Sequence, residues 1–252
     1  MRFASLGSGS AGNGLVVEAG ATRVLVDCGF PVEGTERRLA RIGLAPADVT
    51  AIVVTHEHGD HADGVLPFAR RHGVPVWMTH GTARAVPGAV PEARVFDSHS
   101  PFAIDGLEVH PFPVPHDARE PAQLVLTDGA RRLGLLTDTG SSTRHVEAML
   151  SGCDALVLEC NHDPGLLAAG PYPGWLKTRI GGPFGHLAND VAAALLAALD
   201  RSRLRHVVAA HLSETNNRPD LATGALARVL GCAPAEIVVA GQADGCGWLG
   251  LA

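Results

Sequence analysis

The stretch that most constrains this chain is Ile52-Val53-Val54-Thr55-His56-Glu57-His58-Gly59-Asp60-His61. Its first four residues are apolar or β-branched and continuous, which predicts a short buried strand. Three histidines and an aspartate follow directly. Imidazoles and a carboxylate crowded at the end of a buried strand need a partner that satisfies all of them. A divalent cation is that partner, because imidazole nitrogen and carboxylate oxygen are ligands that zinc accepts. A single histidine after a strand would read as a cap or a surface residue. His-x-His-x-Asp-His reads as a metal motif.

Other strand ends repeat the construction. Arg23 to Val26 runs into Asp27, which reads either as an orienting carboxylate behind a ligand or as a turn former. Arg132 to Thr137 runs into Asp138, whose two oxygens suit a ligand bridging two cations and equally suit a turn. Ala155 to Leu158 ends in Glu159-Cys160-Asn161-His162, and Val207 to Ala210 ends in His211. His116 lies in a proline-stiffened loop and is the candidate third ligand beside His56 and His58. Gly7 to Gly14 is too glycine-rich for regular structure and reads as an anion-binding loop or, more simply, a turn between strands.

The region Tyr172 to Arg179 gathers Trp175, Lys177 and Arg179. It reads either as a basic-aromatic patch for nucleic acid or as a packed extended loop. His186 precedes a strongly helical run, for which Asn189 or Asp190 is the expected N-cap. Strand-rich and helical segments alternate in two rough halves meeting near residue 130, with no linker between them, and Glu236 to Ala240 reads as the last strand. The expectation is one domain spanning 1–252. Hydrophobic residues at 46% can fill its core, and a net charge of −6 gives no global case for nucleic acid while leaving a local groove open. Five cysteines without CxxC spacing suggest a reducing compartment. No stretch is long and apolar enough to span a bilayer and the N-terminus lacks a signal-peptide pattern, so the expectation is a soluble cytoplasmic protein without membrane contact.

Once His56, His58, Asp60 and His61 are joined by His116, Asp138 and His211 in that order, the chain resembles the metallo-β-lactamase superfamily. The resemblance spans most of the chain. It implies an α/β fold of the αββα sandwich type, with two mixed β-sheets packed face to face and helices outside. It implies two divalent ions, Zn²⁺ or Mn²⁺: His56, His58 and His116 on one, Asp60, His61 and His211 on the other, and Asp138 bridging. Gly7 to Asn13, Glu159 to Asp163, Gly185 to Asn189, and His211 to Ser213 with Asn216-Asn217 look like the YycJ/WalJ-type branch, whose members are regarded as cytoplasmic 5′-to-3′ DNA exonucleases. Leu187-Ala188 departs from the Ser-Thr usual in the tRNase Z relatives, and Gly59 from a serine often found in the branch's metal motif.

The implied function is a metal-dependent phosphodiesterase, most specifically a DNA exonuclease using a hydroxide activated by both metals. Asp60, Asp138 and His186 would be catalytic, with His186 protonating the leaving oxygen or contacting the phosphate. Lys177, Arg179, Asn189 and Ser213 would contact substrate. Asp27 and Glu159 would stand behind the site, Glu159 orienting either His186 or His61. DNA or another phosphodiester is the expected partner, and a homodimer is compatible with the resemblance. Two rivals stand beside this reading: a small-molecule hydrolase of the same fold acting on a thioester, lactone or cyclic phosphodiester, and a non-catalytic metal-binding or redox scaffold.

Overall fold

The computed structural model describes residues 1–86, 88 and 93–251. Among them, β1 (Arg2–Gly7), β2 (Gly14–Ala19), β3 (Thr22–Val26), β4 (Ala51–Val53), β5 (Val76–Thr79) and β6 (Arg94–Phe96) lie side by side in one sheet. A second sheet is formed by β7 (Phe102–Ile104), β8 (Leu107–Pro113), β9 (Ala122–Thr127), β10 (Arg132–Leu136), β11 (Ala155–Glu159), β12 (His206–Ala210) and β13 (Val238–Val239). The last strand, β14 (Cys246–Gly250), returns to the first sheet and pairs antiparallel with β1. Nine helices connect these strands among the described residues: α1 (Val32–Arg41), α2 (Gly59–Ala62), α3 (Val65–His72), α4 (His80–Ala85), α5 (Arg144–Leu150), α6 (Pro164–Ala169), α7 (Gly174–Ile180), α8 (Asn189–Ala198) and α9 (Pro219–Leu230).

The layering follows from the strand sequences. Along β1, β2 and β3, Phe3, Val17, Val24 and Val26 face the other sheet and meet Val109, Leu124, Leu126, Leu133 and Val157. The intervening Leu6, Val16 and Leu25 point the other way, into a second cluster closed by Leu39, Val65 and Phe68 of α1 and α3. Both faces of the sheet are therefore covered, and its strands read as continuous apolar runs instead of alternating ones. On the far side Val125, Leu136, Leu156 and Val207 pack against Val146, Leu195, Leu196 and Leu226 of α5, α8 and α9. The expected αββα sandwich is the observed architecture.

Each sheet is half antiparallel and half parallel. β3 to β6 run parallel in the first, and β10 to β13 in the second. Parallel neighbours end at the same edge, and open α/β sheets present their ligands there, outside the carboxyl ends of the strands.

Three expectations need correction. The two halves do not meet near residue 130: Arg94–Phe96 still belongs to the first sheet, and the chain passes to the second across residues 97–101. The antiparallel half of the second sheet consists of hairpins like those of the first, so the sequence pattern does not change where the sheets do. Glu236 to Ala240 is not the last strand: Pro234–Glu236 is a 3-10 turn, β13 is short, and β14 follows. Gly247 and Gly250 hide the alternation in β14, which is held by its pairing to β1 and by Trp248 Nε1 donating to the Ile42 carbonyl at 2.9 Å. Finally, neither Asn189 nor Asp190 caps α8, because the N-cap position is Ala188.

Candidate metal centre

Five strand ends deliver the site, each from the parallel half of a sheet. Asp27 follows β3, Thr55 and His56 follow β4, Asp138 follows β10, Glu159 ends β11 and His211 follows β12. The register aligns them: Leu136 pairs with Leu158, and Leu158 with Ala209. Asp27, Asp138 and His211 have φ of 59°, 55° and 54°, a left-handed conformation that costs a non-glycine residue of order 1–3 kcal/mol. Each turns out of its strand at the point where its side chain must enter the site. α2 carries Asp60 and His61 back across this edge, and the Asp60 carbonyl lies so close to Gly29 that a Cβ there would collide with it.

Two groups of ligand atoms result, each with all its atoms within 4.8 Å of one another: His56, His58 and His116, and Asp60, His61, Asp138 and His211. They adjoin, since the rings of His56 and His61 are 4.2 Å apart. All seven residues expected from the sequence are thus brought together, though Asp138 groups with the second set and not with the first. A third group was not foreseen: Asp138, Glu159, His186 and His211 also converge within 4.8 Å.

The outer hydrogen bonds set the tautomers. His116 Nδ1 donates to the Gly185 carbonyl at 3.1 Å, so its Nε2 lone pair faces inward, 3.2 Å from His58 Nδ1. His61 Nδ1 donates to Asp27 Oδ2 at 2.7 Å, leaving Nε2 facing Asp138 Oδ2 at 2.9 Å. His211 Nδ1 lies 3.3 Å from Glu159 Oε1, and its Nε2 faces Asp60 Oδ2 at 3.3 Å. Asp27 also accepts from the Thr55 hydroxyl at 2.9 Å, and Thr55 Oγ1 in turn lies 3.0 Å from His56 Nδ1. Inward lone pairs backed by outward acceptors are the arrangement of metal-ligating histidines.

The electrostatics differ between the two ends. Burial disfavours an imidazolium at His56 and His116, and neighbouring histidines add to it, so both are held below the ordinary histidine range. At the other end burial is outweighed by carboxylates. Asp138 and Asp27 hold His61 well above its ordinary value, and Asp138 with Asp60 and Glu159 raises His211 to about 10. Burial works against the Asp60 carboxylate as well, but His211 and His61 hold its pKa far below the usual range. One end thus offers neutral nitrogen lone pairs and the other a concentration of negative charge. At its centre Asp138 Oδ2 is buried and makes no hydrogen bond. A buried carboxylate oxygen without a donor, ringed by imidazole nitrogens, fits a cation, so the residues present suit the divalent ions that the motif implies.

A β-lactamase superfamily domain model matches residues 22–211. The exodeoxyribonuclease YycJ of Bacillus anthracis is 35% identical over 235 residues, covering 91% of this chain and 89% of its own. The exodeoxyribonuclease WalJ of Streptococcus pneumoniae is 31% identical over 228 residues, 88% of this chain and 85% of its own. The chain belongs to the metallo-β-lactamase superfamily. It matches these YycJ and WalJ relatives nearly end to end, and like its relatives it is a metallo-hydrolase. The fold is shared with the metallo-β-lactamase fold protein YhfI of Bacillus subtilis, with a TM-score of 0.75 at 14% identity over 99% of both chains.

The remaining expected residues fall into place unequally. Glu159 orients His186, not His61: its Oε1 is 2.8 Å from His186 Nδ1, and Oε2 accepts from the backbone of Thr139 and Leu187. Burial raises the pKa of this carboxyl, but His186 and His211 hold it down at about 2. His186 is correspondingly raised, burial being outweighed by Glu159. His162 is buried beside Asn161 and joins none of the three ligand groups. The Tyr172 to Arg179 region is not an extended loop, since Gly174–Ile180 is α7. There Lys177 Nζ donates to the Ala168 carbonyl at 2.6 Å and Arg179 Nε to Asp117 Oδ2 at 2.6 Å. Asn189 does not present its amide to substrate: it is 4% exposed and closes a reciprocal pair with Asn217, both bonds 2.9 Å. Ser213 Oγ accepts from the Asn216 backbone at 3.1 Å on the loop after His211.

The sequence reading missed Asn13. Its Nδ2 lies 3.0 Å from His61 Nε2 and 3.2 Å from the Asp60 carbonyl, while its Oδ1 accepts from the Gly9 backbone. The glycine-rich loop therefore braces Asp60 and His61 instead of holding an anion. Most of its N–H groups are already spent, on Gly241, Asn13, Gln242, Gly9 and Asp60. A polar residue ending a glycine loop was the available signal, but nothing local shows that α2 folds onto it.

Asp27→Asn tests the bracing behind His61. The side chain tolerates the left-handed backbone, but one acceptor becomes a donor facing Thr55 or His61. Metal affinity, measured by competition against a chromophoric chelator, is expected to fall ~10–100-fold with the fold retained.

Proposed function

We propose that this chain, acting as one domain over residues 1–252, is a metal-dependent phosphodiesterase that degrades DNA, most specifically as a 5′-to-3′ exonuclease. The observation that carries the reading is the His186–Glu159 pair facing the ligand groups. His186 Nδ1 is tied to Glu159 at 2.8 Å and lies 3.5 Å from Asp138 Oδ1, and its ring stacks on His211 with centroids 5.3 Å apart. Its Nε2 makes no hydrogen bond among the described residues, and the side chain is 23% exposed. A polarised imidazole beside a metal centre, with one nitrogen turned to the substrate space, is positioned to deliver a proton to a leaving alkoxide. The names borne by YycJ and WalJ support DNA as the substrate and an exonuclease as the activity.

In this reading two divalent ions, Zn²⁺ or Mn²⁺, would occupy the site. His56, His58 and His116 would hold one, and Asp60, His61, Asp138 and His211 the other. Bound there, the ions supply the Lewis acidity that activates a water and offsets charge on the phosphate. The protein's own contribution is positioning. Thr55 and Asp27 lock His56 and His61, the Gly185 carbonyl locks His116, and Glu159 holds His211 and His186 on one carboxylate oxygen. Arg179 and Ser213 flank the site as substrate contacts. Five free thiols suit a reducing cytoplasm, and no helix of the described residues is long and apolar enough to cross a membrane.

The test is an assay of the purified protein with Mn²⁺ or Zn²⁺ on 5′-labelled single- and double-stranded DNA, bis-p-nitrophenyl phosphate and a thioester. Mononucleotide release from the 5′ end, lost on exhaustive chelation and restored by added metal, is expected. Thioester turnover with inert DNA would replace this reading with that of a small-molecule hydrolase.

A further inference from the structure

Helix α1 sorts its charges by face. Glu33 and Glu36 turn toward α3, where Glu33 meets Arg71 and Glu36 meets His72, both at 2.9 Å. Arg37, Arg38 and Arg41 turn the other way and, with Ala40, line a groove of about 550 Å³. Arg37 is exposed and makes no ion pair among the described residues. The Arg38 guanidinium sits over the Phe30 ring, 3.9 Å from its centre, and has no carboxylate partner either. A guanidinium held over an aromatic ring keeps N–H donors at its edge for an oxyanion. Arg41 is already engaged: it donates to the Leu6 carbonyl and pairs with Asp244, both at 2.9 Å. It walls the groove, and Arg37 and Arg38 carry the charge that nothing neutralises. Burial lowers the pKa of the Arg38 guanidinium, and repulsion from Arg41 and Arg37 adds to it. Like charges gathered this closely gain from an anion among them. They are gathered in a chain whose net charge is −6.

The groove lies at the edge that carries the metal centre. β1 and β3 are each antiparallel to β2, so they run the same way and end together. Leu6, which Arg41 grips, stands near the end of β1, and Asp27 follows β3. The Phe30 ring beneath Arg38 fills the space over Gly7 and Gly12, where a Cβ would collide with it. That glycine loop is the one whose Asn13 braces Asp60 and His61. One aromatic ring therefore separates Arg38 from the loop behind the ligands.

We propose that Arg37 and Arg38 form a phosphate track that holds the DNA backbone beyond the end being cleaved. This deepens the phosphodiesterase reading and rests on it. The arginine fork matches phosphate oxygens, and such contacts position a nucleic acid without reading its sequence. A lipid surface offers phosphates too, but the exposed residues of α1 are Glu33, Arg37, Ala40 and Arg41, which leaves no large apolar side chain to enter a bilayer.

The test measures binding of the metal-loaded protein to a fluorescein-labelled phosphorothioate duplex, which resists cleavage, by anisotropy over a range of salt concentrations. The slope of log affinity against log salt is expected to become shallower by about 1 in Arg37→Ala and by about 2 in Arg37→Ala/Arg38→Ala. Arg37→Glu should weaken binding at low salt by at least about tenfold, equally for unrelated duplex sequences. Arg37 is exposed, so its variants keep the test decisive if loss of the Arg38–Phe30 contact disturbs folding. Arg228→Ala removes the same charge from α9, on the outer face of the other sheet, and should bind as the parent does. Unchanged slope and affinity in the Arg37 variants, an equal loss in Arg228→Ala, or a parent that binds phosphatidylglycerol vesicles but not the duplex would each overturn the proposal. Turnover of bis-p-nitrophenyl phosphate by the parent separates the two levels, because this ester has no backbone to track. If the parent leaves it intact, the phosphodiesterase reading fails; if it is cleaved and the Arg37 variants bind DNA as the parent does, the track alone fails.

Discussion

Asp138→Asn is expected to lower phosphodiester cleavage by at least ~10³-fold and to reduce bound metal. The substitution keeps the shape of the side chain and tolerates the left-handed backbone at φ 55°, so the fold should survive. What it removes is the carboxylate that faces His61 at 2.9 Å and both His211 and His186 at 3.5 Å. His61 and His211 would remain, each still tied to Asp27 or Glu159, but the cation would lose an anionic ligand at the centre of the site. Metal content by plasma emission spectroscopy, read beside a thermal melt, checks the prediction. A folded Asp138→Asn protein with full metal and full turnover would remove Asp138 from the ligand set.

His186→Ala should behave differently. The expected result is full metal content with kcat on DNA reduced ~10²–10⁴-fold, the usual contribution of a positioned general acid. The loss should be much smaller on bis-p-nitrophenyl phosphate, because p-nitrophenolate leaves without needing a proton. Glu159→Gln should reproduce part of the effect by removing the charge that polarises His186 Nδ1 at 2.8 Å. Since Glu159 also touches His211, its metal content must be measured alongside. Equal losses on the activated ester and on DNA would assign His186 to substrate binding instead of proton transfer.

How much of this was legible beforehand depended on whether the chemistry is local. His56, His58, Asp60 and His61 sit within one short segment, so their convergence needs only a strand followed by a turn. Asp138 and His211 were legible through their order after that motif, since a strand-end aspartate taken alone equally suits a turn. The partner of Glu159 was not legible. Its carboxylate, at the end of β11, is 0% exposed and meets His186 and Leu187, whose separation of about 27 residues is closed only by the packing of the chain after α7. Nor was the role of Asn13, whose amide reaches His61 across 48 positions. Asn189, a polar residue at the start of a helix, is turned inward by Asn217 on the neighbouring loop.

The metal motif and the apolar strands that carry the ligands were readable from residues adjacent in the chain, while the sandwich followed from the family resemblance that the order of the ligands carries. Where the chain changes sheets, the return of β14 to the first, and the bracing of α2 by the glycine loop emerge from packing between distant segments. The tertiary structure alone showed that Glu159 serves His186 and that Gly174–Ile180 is a helix. Those outcomes depend on which surfaces remain to be covered once both sheets are packed. The His-x-His-x-Asp-His segment places one side of the site, and the residues that orient it come from loops whose positions no local pattern encodes.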